Sequence, residues 1–269
     1  MLVTVRIHHS QFPDRVRRDL LESIRTRCAN HKFHYDSIRQ AQQWLALHEQ
    51  YSPARTDPQC LAIYSASFQQ AAGMIADGPV HLIGLGCGGG QKEVALLEHL
   101  RQRRIQAHFT ASDVSTALVM IARERALKCI GSDRCDTLVC DLATADDLPR
   151  VLEEIAIPGA QRIITFFGLI PNFEPDAILP SLAAMLQPGD ILLFSANLAP
   201  GDDYGAGVER ILPLYDNQLT RDWLMTFLTD LGVESSDGTL KFSIEEVNGL
   251  RRIAVHFEFT QSREIRIDA

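Results

Sequence analysis

Five glycines crowd into residues 84 to 90 of "HLIGLGCGGGQKEVALLEHL" (81–100), between an apolar run and an amphipathic one. Glycine adopts dihedrals closed to other residues and lets a ligand approach the main chain, so such a cluster between a strand and a helix marks a cofactor seat. Two carboxylates recur at equivalent places downstream, Asp113 in "ASDVS" and Asp141 in "VCDLA". Each ends an apolar run. An acid after a second strand can accept hydrogen bonds from ribose hydroxyls. One after a third can accept from an exocyclic amine such as adenine's. Either Asp taken singly serves as well as a helix N-cap; the joint placement points to a nucleoside.

The elements that must position these groups follow from the apolar pattern. Strands are expected over 80–86, 106–113, 135–141, 161–167 and 190–197, with "QKEVALLEHLRQR", "STALVMIARERAL", "DDLPRVLEEIA" and "DAILPSLAAML" between them spaced as amphipathic helices. Strand and helix alternating over about 120 residues build a doubly wound parallel α/β sheet, with its ligand crevice at the carboxyl ends of the strands. Residues 1–79 read as a helical N-terminal cover, 80–199 as the cofactor-binding core, and 200–269 as a small α+β cap. In that cap "PGDDYGAG" reads as a loop. A helix over "TRDWLMTFLTDLG" is expected next. "TLKFSIEEV", "RRIAVHFEF" and "REIRID" then alternate like antiparallel strands, with Asn248-Gly249 as a turn.

Composition narrows the function. Net charge is −8, from 26 basic and 34 acidic residues, and apart from clusters such as Arg15, Arg17, Arg18 and Arg101, Arg103, Arg104 the basic residues are scattered, which argues against nucleic acid. No apolar stretch reaches the roughly 18 residues of a membrane span, and Arg6 interrupts the short apolar run at the N-terminus, unlike a signal peptide. No membrane partner is expected. The six cysteines include no C-x-x-C pair and no His at finger-like spacing, so reduced thiols, a cytoplasmic location and no metal are expected.

Gly84, Gly86 and Gly89 satisfy the dinucleotide spacing G-x-G-x-x-G. Gly86, Gly88 and Gly90 satisfy equally the G-x-G-x-G of S-adenosylmethionine methyltransferases. The stretch "FFGLIPNFEPDAILPSLAAMLQPGDILLFSAN" resembles the latter, in which a substrate loop precedes a helix and a "PGD" turn leads to the fifth strand.

From here the chain resembles one family, the histidine-specific methyltransferases. "KFHYDSIRQAQQWLALHEQYSPARTD" is similar to that family's opening, "LGCGGGQK" to its "LGSGTSEK", "SDVS" to its "VDVS", "FFGLIPNF" to its "FLGSTIGNF", "QPGDILLFSANL" to its "PGDWLLLGTDL" and "PLYDNQLTRDW" to its "AYDD" segment. The similarity runs over roughly residues 31 to 260. It implies a Rossmann-like methyltransferase fold with S-adenosyl-L-methionine as cofactor. It also implies that Gly86, Lys92, Asp113, Asp141 and Leu142 contact that cofactor, with Cys87, Gly88, Val114 and Gly168 beside them. Asp113 would hold ribose; Asp141 and the Leu142 main chain would hold adenine. Tyr51, Asn172 and Tyr215 match the substrate pocket, Asn172 and Tyr215 at the residues that grip an α-amino acid.

Two departures stand out. The acid usually found two residues before the first motif glycine is Gly84 here, which removes a carboxylate that helps place the methionine end of the cofactor. The family's later acid and serine, which read the imidazole ring, do not appear before residue 269. The expected reaction is therefore methyl transfer to the amino group of a small amino-acid-like substrate, with histidine itself open. A cofactor-binding protein without turnover and an NAD-dependent oxidoreductase are the alternatives; the second lacks a Tyr-x-x-x-Lys. In-line transfer needs only a neutral amine lone pair about 3 Å from the methyl carbon, so approach and orientation carry the catalysis.

Overall fold

The computed structural model describes residues 2–76, 78–262 and 264. In chain order the elements are β1 (Arg6–Ile7), α1 (Pro13–Thr26), α2 (Ile38–Tyr51), α3 (Pro53–Thr56), α4 (Pro58–Met74), β2 (Val80–Leu85), α5 (Gln91–Gln102), β3 (Ala107–Asp113), α6 (Thr116–Ala126), β4 (Cys135–Val139), α7 (Leu148–Glu154), β5 (Gln161–Phe167), α8 (Pro175–Met185), β6 (Ile191–Ser195), α9 (Tyr204–Tyr215), α10 (Gln218–Asp230), β7 (Gly238–Val247) and β8 (Leu250–Phe259). They form two compact units, one of residues 1–38 and 53–196, the other of 39–52 and 197–269. The helical segment expected over 1–79 is thus divided between the two.

The first unit is the α/β core. Its six strands lie in the order β1-β4-β3-β2-β5-β6, every neighbouring pair parallel. All six residues of β2 are buried, as a strand covered on both faces requires. One face carries Val80, Leu82, Phe109 and Ile163 against Leu96, Leu97 and Val119 of α5 and α6. The other carries Ile83, Leu85, Ile164 and Phe166 against Leu148, Leu152, Ile178 and Leu182 of α7 and α8. After β4 the chain returns across β2 to β5. The order reverses there, the switch point at whose carboxyl strand ends doubly wound sheets bind their ligands.

Two expectations need correction. The N-terminus is not only helical: Arg6–Ile7 pairs with Leu138–Val139 as a sixth, edge strand. Both of its residues are exposed, so no apolar alternation marks it. "PGDDYGAG" is not wholly a loop either, since Tyr204-Gly205-Ala206-Gly207 forms the first turn of α9, capped by the Asp203 side chain accepting from the Ala206 N–H at 3.0 Å. Gly207 is there for space: a Cβ would lie 2.6 Å from the Pro200 carbonyl oxygen.

The second unit packs α2 with α9, α10 and the antiparallel hairpin β7–β8. The Thr226 hydroxyl of α10 donates to Gln43 Oε1 of α2 at 2.8 Å. Asn248 and Gly249, at φ 52° and 76°, form the expected two-residue turn, a left-handed pair that suits the strand twist. Of the expected strand "REIRID", residues 263 and 265–268 lie outside the described residues. No helix among the described residues is long and apolar enough to cross a membrane.

Gly90, at φ 71°, starts α5 and lets it close on α6: a Cβ there would lie 2.7 Å from Ala122 Cβ and 2.9 Å from Ala122 Cα. Gly90→Ala should therefore add a left-handed backbone penalty to an overlap with a helix backbone, lowering unfolding free energy by about 2 kcal/mol or more. Urea denaturation checks this, with Gly189→Ala, where no atom lies within 4 Å of the new Cβ, as the comparison that isolates the backbone part.

Candidate functional site

The glycine loop leaves β2 with Gly86, Gly88 and Gly90 all at positive φ (56°, 53° and 71°), a conformation that only glycine adopts without strain. That winding turns the Gly88 N–H toward the end of β3, where it donates to Asp113 Oδ2 at 2.8 Å. Asp113 Oδ1 accepts from the Ser115 N–H at 3.0 Å. The helix after β3 is capped by Ser115, whose side chain accepts from the Leu118 N–H, so Asp113 is not the cap of α6. It is a buried carboxylate tying the loop to the neighbouring strand. Burial pushes its pKa up to about 6 against the backbone N–H groups of Ser115, Gly88 and Val114, which pull it down.

Asp141, just past β4, is also buried. Its Oδ1 accepts from the Ala143 N–H at 3.0 Å, and its own N–H donates to Ser10 Oγ at 3.0 Å. Its Oδ2 has no hydrogen bond. The nearest charge is the ammonium of Lys32, itself buried, at 3.4 Å; Lys32 also pairs with Asp19 at 2.5 Å. Leu142 follows, half-buried against the α7–α8 side of the core. The short helical turn His31–His34 thus lies over the strand ends, and His31 meets the Phe173 ring edge-on at 5.8 Å.

Lys92, in the first turn of α5, has its ammonium 4.9 Å from the Tyr64 ring centre and 5.5 Å from that of Phe167. The Tyr64 hydroxyl is fixed by Ser195 at 2.7 Å. Gly168, at φ 73°, begins the loop after β5, and a Cβ there would lie 3.8 Å from Lys92 Nζ. The next residue, Leu169, covers Gly86, where a Cβ would meet its Cδ1 at 2.2 Å. Of the residues singled out for a cofactor, Gly86, Gly88, Lys92, Asp113 and Gly168 are therefore joined by contact around one loop. Cys87 donates its N–H to the Ser112 carbonyl at 2.9 Å in the same loop. The Val114 carbonyl accepts from Gln11 Nε2 at 3.1 Å.

Asn172 ends a short helical turn (Ile170–Asn172) in the first unit, exposed, with Glu174 rather than Asn172 at the N-cap of α8. Tyr51 and Tyr215, the last residues of α2 and α9, belong to the second unit. Tyr215 is exposed at 44% of its surface, but local desolvation of the phenol still raises its pKa above the ordinary value, so it is protonated at physiological pH. The groups that sequence reasoning missed are Lys32, Asp19, Gln11, Ser10 and Glu93; each acts through a fold-dependent contact that spacing does not encode.

His8, His9 and Asp147 bring ligand-type atoms within 4.8 Å of one another. His8 is committed elsewhere: its Nδ1 accepts from the Ser10 N–H at 3.1 Å, which leaves the proton on Nε2 facing Asp147 Oδ1 at 2.7 Å. A metal ion would have to displace both contacts.

A family model described as histidine-specific, S-adenosylmethionine-dependent methyltransferase matches residues 16–220, more than half of the chain. The chain belongs to that family. It is 31% identical over 144 residues to a carboxy-S-adenosyl-L-methionine synthase of Geobacter metallireducens, covering 53% of this chain and 52% of that protein. To a histidine N-alpha-methyltransferase of Mycolicibacterium smegmatis it is 32% identical over 153 residues, 55% of this chain and 44% of that one. The chain thus spans about half the length of the curated relatives it matches. Among solved structures, the plantazolicin methyltransferase BpumL is similar at 15% identity with a TM-score of 0.43, over 86% of this chain and 80% of the other.

Asp113 supplies the test of the site's electrostatics. Its folded-state pKa lies above the ordinary 3.8, so the folded protein keeps a proton that the unfolded chain releases between about pH 4 and pH 6. Stability should therefore fall as pH rises through that window, by about 3 kcal/mol in all. Asp113→Asn removes this titration. Urea unfolding at about pH 4 and pH 7 should show the variant gaining on the parent as pH rises; parallel curves would show that the Asp113 pKa is the same in the folded and unfolded states.

Proposed function

We propose that this chain is a cytoplasmic S-adenosylmethionine-dependent N-methyltransferase acting on the amino group of a small amino-acid-like substrate. The observation that carries the reading is the convergence, at the carboxyl ends of three adjacent strands, of the glycine loop, Asp113 and a buried Asp141 oxygen without a hydrogen bond. These groups fit an adenosyl ligand: Asp113 has lone pairs left for ribose hydroxyls, and Asp141 Oδ2 is an acceptor for an exocyclic amine. Lys92, held by two aromatic faces, suits the carboxylate at the methionine end. The cytoplasmic reading draws on the cysteines, all six of which are free.

The cofactor supplies a methyl group already activated by a sulfonium. What remains for the protein is to hold an amine with its lone pair free and in line. Asn172, Tyr215 and Tyr51 are proposed for the amino-acid end of the substrate, from the resemblance and from the histidine N-alpha-methyltransferase among the relatives. A protonated Tyr215 donates or relays a hydrogen bond rather than acting as a phenolate base. The proton of an ammonium substrate then passes to water at Asn172 or through that hydroxyl.

A screen of methyl transfer from labelled S-adenosylmethionine to amino acids should find an amino-acid acceptor, and Asn172→Ala should abolish transfer while S-adenosylhomocysteine still raises Tm. NAD should give no shift. In competition with tryptophan, tyrosine or leucine, histidine should win by less than about a hundredfold, a ratio that needs roughly 2.7 kcal/mol of specific contact. A shift with NAD alone, or transfer undiminished in Asn172→Ala, would overturn the reading.

A further inference from the structure

Beneath the glycine loop lies a second buried carboxylate. Glu93, in the first turn of α5, is 2% exposed, and its side chain runs across the end of β2 instead of outward. Gly84 makes this possible. A Cβ at Gly84 would lie 3.0 Å from Glu93 Cγ, 3.0 Å from Cys87 Cβ and 3.3 Å from the Phe109 ring, so the strand leaves bare the space that the helix's glutamate fills. No positive φ demands glycine at Gly84; the side chains of Glu93, Cys87 and Phe109 that close on it do. The carboxylate is steadied by Thr165, whose hydroxyl donates to Oε1 at 2.9 Å from the strand position paired with Gly84. That is its only hydrogen bond with another side chain among the described residues, and it has no ion pair at bonding distance there.

A carboxylate buried without a cation is costly, and burial raises its pKa, with Lys92 and Asp113 near enough to act on it. A cation that arrives from outside would offset that cost. The methionine end of S-adenosylmethionine carries an α-ammonium as well as a carboxylate, and Lys92 answers only the carboxylate. We propose that Glu93, reaching through the space left by Gly84, is the counter-charge for the cofactor's α-ammonium. The carboxylate missing from the strand at residue 84 is then supplied from the helix. This rests on the cofactor assignment but not on the proposed substrate.

Calorimetry with two ligands tests it. S-adenosylhomocysteine carries the amino-acid end; 5′-methylthioadenosine has the same adenosine and sulfur without it. Glu93→Gln should weaken S-adenosylhomocysteine by about ten- to a hundredfold, the loss of one charge-assisted hydrogen bond, and leave 5′-methylthioadenosine within about twofold. The paired exchange Gly84→Glu with Glu93→Ala, which returns the carboxylate to the strand and vacates its space on the helix, should restore most of the loss. Equal weakening of both ligands by Glu93→Gln, or no weakening, would overturn the proposal. Binding of neither ligand by the parent chain would overturn the cofactor assignment, and this inference with it.

Discussion

The site depends on one carboxylate whose two oxygens face different elements. Asp113 accepts the Gly88 N–H on one side and the Ser115 N–H on the other, so it locks the glycine loop to β3 and sets the entry to α6. A loop of glycines at positive φ has little intrinsic reason to hold one shape. Here its winding is fixed by hydrogen bonds at both ends: the Cys87 N–H to the Ser112 carbonyl, the Gly90 N–H to the Cys87 carbonyl, and Gly88 to Asp113. Anchored this way, the loop presents its main chain at the strand ends without further side chains of its own.

The N-terminal segment has a comparable place around Asp141. Of the four lysines only Lys32 is buried, and its ammonium stands between Asp19 and Asp141. Removing Lys32 would leave Asp141 an unpaired buried charge, which typically costs about 3–5 kcal/mol. The triad therefore fixes the turn over residues 31–34 to the end of β4. Ser10, through Asp141 N–H, and Gln11, through the Val114 carbonyl, fix the segment after β1 to the same strand ends. A stretch with little apolar pattern is held by polar contacts to the very loops that carry the candidate site.

What could be read from sequence follows the same division. The four inner strands, β2 to β5, were legible because burial on both faces makes them largely apolar runs, the edge strand β6 because Ile191, Leu192, Leu193 and Phe194 follow one another, and their helices because apolar residues recur at three and four. The glycine loop, Asp113 and Asp141 were legible because chain order places them at successive strand ends. β1 was not: two exposed residues carry no periodicity, and the strand exists because β4 offers an edge. The start of α9 was hidden by glycines that serve close packing instead of a turn. Lys32 was out of reach for another reason, since a lysine in a polar stretch reads as solvated until the fold shows two carboxylates around it.

Gly84 and Glu93 show how two unremarkable residues acquire meaning only together. A glycine at the end of a strand reads as a missing side chain, and a glutamate in the first turn of a helix reads as a favourable partner for the helix dipole. Their contact makes them a single feature, with a carboxylate displaced from strand to helix across a space of one Cβ. The displacement has an electrostatic consequence. Asp113 and Glu93, both raised by burial, face the same loop, so bringing both to their charged forms is unfavourable in the protein alone. A cationic group placed between them offsets that penalty, whereas a neutral one leaves it standing. On the role proposed for Glu93, a ligand that brings positive charge to this loop would be favoured over a neutral one of the same shape.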